Sequence, residues 1–301
     1  MPRDLADVLH YFLPELEETP DADPTDTPRA DREDATTSPA PSVEVPVDDP
    51  TTTAGRGRSA SRNDARTGPA AGPPLPVLGL PIGDRDVVRA ALAWNLAVET
   101  ARLGASTILL APETDRGSPL WPEPGVGPLG CELLFCPAKD LASLYETASE
   151  LATRMATDAR RGGIVFVRVP PDWLVEGDGP VEPIRWLLLL SGARARDLEE
   201  TASLARTLYA RHSVLELGVT LHGVESIGEA RDAYDALARR TEAESARTLI
   251  SYGLLVDDLH VYRAIAAQRP VGLAHPQSPA ARALMDVARL LYEDARSRVL
   301  G

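Results

Sequence analysis

A chain of 301 residues, 44% of them apolar, can bury a sizeable core, and a net charge of −14 excludes a surface built to wrap nucleic acid, which needs clustered Lys and Arg. Two cysteines are too few for a disulfide framework, no apolar run is long enough to span a membrane, and Asp4 and Asp7 argue against a signal peptide, so the composition is that of a soluble, cytoplasmic protein. Basic charge is carried almost wholly by arginine, with Lys139 the single lysine, and this limits the chemistry available.

Residues 1–17 come first. Leu5, Val8, Leu9, Phe12 and Leu16 recur at helical spacing, Asp4 is placed to cap the start, and Pro14 disfavours helix at Leu13. The pattern predicts a helix of about ten residues, a length that is marginal in isolation and needs its apolar stripe docked on something. Two docking sites are open at this point: the rest of the chain, or a protein partner.

Residues 18–74 hold ten prolines, 11 acidic and 6 basic residues, and almost no large apolar side chains. Such a segment cannot bury enough surface to offset its ordering entropy and is expected to be a disordered linker. Coil scaling gives it a root-mean-square span of about 40 Å. The terminal helix is then a tethered segment with wide reach, suited to helix-in-groove binding.

Residues 75–301 alternate strand and helix. The predicted strands are Val77 to Leu80, Ser106 to Ala111, Glu132 to Cys136, Ile164 to Val169, Arg185 to Leu190, Val214 to His222 and Leu249 to Val256. The predicted helices are Val87 to Leu103, Asp140 to about Arg160, Asp197 to Arg211, Gly228 to about Arg247 and Ser278 to Arg298. This alternation predicts an α/β fold, a mostly parallel sheet with helices on both faces. Cys131 and Cys136 point to opposite faces if both lie on one strand, which favours two buried thiols over a disulfide or shared zinc. The five histidines lack metal-binding spacing, and Ser191 and Ser226 lack a nucleophile elbow, so no catalytic or metal residue is assigned.

The stretch Asn95-Leu96-Ala97-Val98, then Ala101-Arg102-Leu103-Gly104 and the strand from Thr107 to Leu110, resembles the opening of MinD/ParA-type ATPases, the deviant-Walker branch of P-loop proteins. Ala267-Gln268-Arg269-Pro270-Val271 with Ser278-Pro279-Ala280-Ala281-Arg282-Ala283 is similar to the flagellar-number-regulator and MinD-like subgroup. The resemblance implies a P-loop NTPase-like fold over 75–301 and, for an intact member, ATP and Mg²⁺ as cofactors.

In the family the phosphate loop reads GKGGVGKT, and counting back from Asn95 sets Gly83, Asp84, Arg85, Asp86, Val87, Val88, Arg89 and Ala90 on it. Gly83 and Val87 alone match. Asp84 takes the place of the signature lysine, Arg89 of the phosphate lysine and Ala90 of the magnesium hydroxyl. The family's D-x-D after the second strand corresponds to Ala111 and Glu113, its D-x-P to Arg168-Val169-Pro170, and its adenine-reading Asn to His222. A carboxylate about 4 Å from a phosphate oxygen costs on the order of 4 kcal/mol per charge pair at an effective dielectric of 20.

The expectation is therefore a pseudo-ATPase with no cofactor, acting as a regulatory or scaffolding protein in polarity, motility or partitioning. The alternative is an active ATPase in which Arg89 replaces the lysine. A third reading lets Arg85 and Arg89 hold a smaller anion. Residues 4–10 are faintly similar to the N-terminal helix by which the flagellar regulators stimulate a partner GTPase. A protein partner at Leu5, Val8, Leu9, Phe12 and Leu16 is expected, with a homodimer open, recruitment to a cell pole open, and no membrane contact through the C-terminal helix, which mixes Glu293 and Asp294 with Arg289, Arg296 and Arg298 and has few apolar anchors.

Overall fold

The computed structural model describes residues 3–8, 73–113, 122–157, 159, 161–176, 184–245 and 247–300, which belong to one compact unit. The continuous apolar runs become the strands β1 (Val77–Pro81), β2 (Ser106–Pro112), β4 (Glu132–Cys136), β5 (Gly163–Val169), β6 (Trp186–Gly192), β7 (Glu216–Val224) and β8 (Ile250–Val256), joined by a two-residue strand β3 (Gly125–Val126). Every residue of β5 and of β6 is buried, as runs covered on both faces must be. The sheet order is β3-β4-β2-β5-β1-β6-β7-β8, parallel throughout except for the antiparallel pair β3/β4.

Four long helices stay close to the ranges read from periodicity: α2 (Val87–Arg102), α5 (Ala195–Arg211), α6 (Ile227–Ser245) and α9 (Pro279–Leu300). Helix α3 (Leu141–Ala156) ends earlier than expected, at Thr157, whose N–H closes back on Arg154. Three short helices were not read from the sequence: α4 (Pro171–Glu176), α7 (Leu259–Ala266) and α8 (Val271–Ala274). Each is too brief for a periodic signal, and α4 and α8 adjoin prolines that read as breaks. Cys131 lies just before β4 and Cys136 ends it. Both are buried, neither is in a disulfide, and burial pushes the Cys131 thiol up to about 12.

Only the start of the N-terminal helix lies within the described residues, as α1 (Leu5–Val8). Leu5 and Val8 are each 1% exposed and pack against β8 and α6, so in this structure they dock on the chain's own body. Leu9, Phe12 and Leu16 lie outside the described residues, as does most of 18–74.

Because the major strands run parallel, the C-terminal ends of β1, β5, β6 and β7 converge on one edge of the sheet. Ligands of open α/β sheets bind along such edges. The turn from β1 into α2 sits there.

Candidate functional site

The turn begins while still tied to the sheet: the Ile82 N–H donates to the Val169 carbonyl at 3.1 Å. Gly83 to Asp86 then reverse the chain, with the Asp86 N–H donating to the Gly83 carbonyl at 3.2 Å. The helix starts at Val87, so of the eight positions matched to the phosphate loop, Val87, Val88, Arg89 and Ala90 are already helical. Asp84 and Arg85 are exposed, Ala90 is buried, and a Cβ at Gly83 would meet nothing within 4 Å.

Asp86 is the N-cap of α2. Its Oδ1 accepts the Arg89 N–H at 3.0 Å, and its Oδ2 lies 3.2 Å from Nη1 of the Arg89 side chain. One carboxylate thus fills the positive end of the helix and neutralises the arginine matched to the phosphate lysine. An Asp directly before an apolar-periodic run is a cap signal, and it was present in the sequence.

Arg168 approaches from β5, opposite Leu80 of β1, and its residue is 0% exposed. Its Nη2 donates to the Gly83 carbonyl and its Nε to the Ile82 carbonyl at 3.4 Å. A phosphate cradle requires N–H groups aimed at the ligand; here two successive carbonyls are aimed at a buried cation.

His222, at the matching level of β7, accepts from Nε of Arg89 through its Nε2 at 3.4 Å. Burial first and the Arg89 charge second hold its imidazole down at about 4, against the pull of Asp86, Asp197 and Asp257. Asp197 and Asp257 were not singled out in the sequence. Asp197 sits in the first turn of α5, where a Cβ at Gly192 would come 2.3 Å from its Oδ2. The structure therefore gathers Gly83, Asp86, Arg89, Arg168 and His222 at one place. Lys139 stays apart, exposed before α3, with its N–H facing Ser143 Oγ at 3.3 Å.

A proton-linked prediction follows from His222. The folded-state value of about 4 lies below the ordinary 6.5, so the unfolded chain takes up the proton first. The contribution to stability is complete above pH 6.5 and is lost as pH falls toward 4, by about 3 kcal/mol. Urea denaturation at the two ends of this range should show a drop that is smaller by about 2–3 kcal/mol in His222→Gln. Equal drops in both chains would disprove it.

The two segments that carry the sequence resemblance meet in space. Asn95 of α2 accepts the Val271 N–H through Oδ1 at 2.7 Å, and Arg102 Nη2 donates to the Gly272 carbonyl at 3.0 Å. Glu99, buried on the same face, pairs with Arg102 at 3.0 Å, and burial raises its carboxyl above the usual range. Among the described residues no group of three or more His, Cys, Asp or Glu is placed to hold a metal ion, and no helix is long and apolar enough to cross a membrane.

No protein-family model matches the chain, and no curated protein matches it. Solved structures do. The MinD cell division protein of Aquifex aeolicus superposes with a TM-score of 0.53 at 14% identity, covering 72% of this chain and 97% of that one. A chain of the MinC:MinD cell division protein complex of Aquifex aeolicus gives 0.52 at 14% identity, covering 72% and 96%. Sheet order, the β1–α2 turn at the strand ends and these superpositions agree: the chain has a MinD/ParA-type fold.

Proposed function

We propose that this chain is a non-catalytic regulatory or scaffolding protein that uses a MinD/ParA-like body as an interaction platform. The observation that carries the reading is the N-terminus of α2, filled by the carboxylate of Asp86, with Arg89 folded onto that same carboxylate. The ATP and Mg²⁺ that the fold implies do not fit these residues. A triphosphate would have to displace the cap, at a cost of about 1 kcal/mol. It would then face Asp84 and Asp86 at about 4 kcal/mol per close charge pair. Arg168 adds a cation where the resemblance has the metal-side carboxylate, and it is already engaged with the Ile82 and Gly83 carbonyls. Arg85 is exposed and Arg89 is already paired, so neither stands in for two lysines.

A role in polarity, motility or partitioning is what the resemblance implies. The protein partner belongs to the N-terminal helix, whose stripe of Leu5, Val8, Leu9, Phe12 and Leu16 suits a groove on another protein. Isothermal titration with ATP and Mg²⁺ tests the central statement: no binding tighter than about 100 μM is expected. Tighter binding overturns it, and steady ATP turnover abolished by Arg89→Ala would establish the rival reading in which Arg89 acts as the phosphate cation.

A further inference from the structure

The surface that receives the N-terminal segment is cross-linked by side chains of the body. Tyr252 on β8 is fully buried, accepts the Trp186 indole N–H at 3.1 Å, and donates its hydroxyl to Asp294 Oδ2 of α9 at 2.6 Å. Arg298 stacks over the Trp186 ring at 4.5 Å and is held by Glu216 at 2.6 Å. Side chains of β6, β7, β8 and α9 thus tie the walls of the groove together.

Onto this floor the segment adds a main-chain hydrogen bond, an ion pair and two buried apolar side chains. The Arg3 carbonyl accepts the Ser251 N–H of β8 at 2.9 Å. The Arg3 guanidinium pairs with Asp294 and lies 5.1 Å from the Tyr252 ring centroid. Leu5 and Val8 fill the apolar part against β8 and α6. The recognised pattern is a cation followed by apolar side chains two and five residues on. All of these contacts come from six residues, a short segment that can open without the strands of the body opening with it.

We propose that the groove between β8, α6 and α9 is a reversible receptor for Arg3–Val8, so that docking in cis and docking of the same Leu5/Val8 stripe on a protein partner exclude each other. This rests on the partner-docking role given to the N-terminal helix under the proposed function. Residues 9–72 lie between the segment and Pro73 in the sequence. The docked arrangement is the one the structure holds, so a partner gains access to the stripe only by displacing it.

The test uses full-length chains. A fluorescein-labelled peptide of residues 2–17 is titrated into the wild type and into a Leu5→Glu/Val8→Glu variant, whose own segment cannot hold the groove. The variant should bind the peptide at least about tenfold more tightly than the wild type, and adding Asp294→Asn should weaken that binding about tenfold. Equal binding to both chains, or none to a variant whose circular dichroism matches the wild type, overturns the proposal. Hydrogen exchange on the unmodified protein is independent of how the variant folds. The amides of Leu5 to Val8 and of Ser251 should exchange together, about a hundredfold faster than those of β5 and β6. Exchange as slow as in those strands means fixed packing and also overturns it. Neither measurement uses a partner, so failure here is distinct from failure of the partner-docking reading.

Discussion

Replacing Arg168 by alanine should destabilise the fold by about 3–5 kcal/mol, measured by urea denaturation. The side chain is among the largest that are fully buried, and it supplies the donors for the Ile82 and Gly83 carbonyls. Deleting it leaves those acceptors facing a cavity, and a buried acceptor without a donor costs about 1–3 kcal/mol. Arg168→Lys should recover only part of the loss, since a point charge cannot span two successive carbonyls as the guanidinium does. Arg168→Asp, which writes the carboxylate of the ATPases back into the strand, should be the most damaging of the three and should not create ATP binding, because it sets acceptor against acceptor. A loss below about 1 kcal/mol in the alanine variant would remove the clamp from the account of the turn.

Gly163→Ala is the second large effect expected, about 3 kcal/mol. Gly163 opens β5 opposite Ser106 of β2, and a Cβ there would lie 2.0 Å from the Ser106 carbonyl oxygen, 2.9 Å from its carbon and 3.1 Å from Leu75 Cδ1. The obstruction is main chain of the neighbouring strand, so no change of rotamer relieves it and the two strands must part. Gly83→Ala is the informative contrast. Nothing stands within 4 Å of that Cβ, and the change should be neutral to within about 0.5 kcal/mol. In an intact phosphate loop the glycine is demanded by close approach of a ligand. A neutral Gly83→Ala beside a costly Gly163→Ala would show that this constraint has moved from the turn to the sheet. Thermal or urea unfolding of the two variants side by side checks both statements.

The strands were legible because long β-branched and leucine runs need no tertiary information: β4 has the bounds that its sequence predicts, and β5 begins one residue earlier, at Gly163. Helices α2, α5, α6 and α9 were legible from their spacing. The hidden elements are short ones whose stability is borrowed from neighbours. Helix α8, for example, is held by Asn95 and Arg102 from a helix far back in the chain. At the candidate site the sequence named the substitutions but not their arrangement. Asp86 was read as a repulsive loop residue, whereas its carboxylate turns inward as a cap. Arg168 was matched to the carboxylate of the family's D-x-P, and nothing local could show that it reaches across to the β1 turn. The docking of Leu5 and Val8 beside β8 depends on a contact across almost the whole chain, which periodicity cannot encode.

The margins of the sheet carry a further consequence. At one end stands β3, only two residues long, and at the other the Arg3 carbonyl occupies the Ser251 N–H of β8. Strands that expose a long row of unsatisfied main-chain groups template the stacking of one molecule on the next. Here the first margin is a two-residue strand, and on the second the Ser251 N–H is already taken by Arg3. Removing the contact at Ser251 would add one more free donor to the margin formed by β8, a change that favours stacking of copies edge to edge.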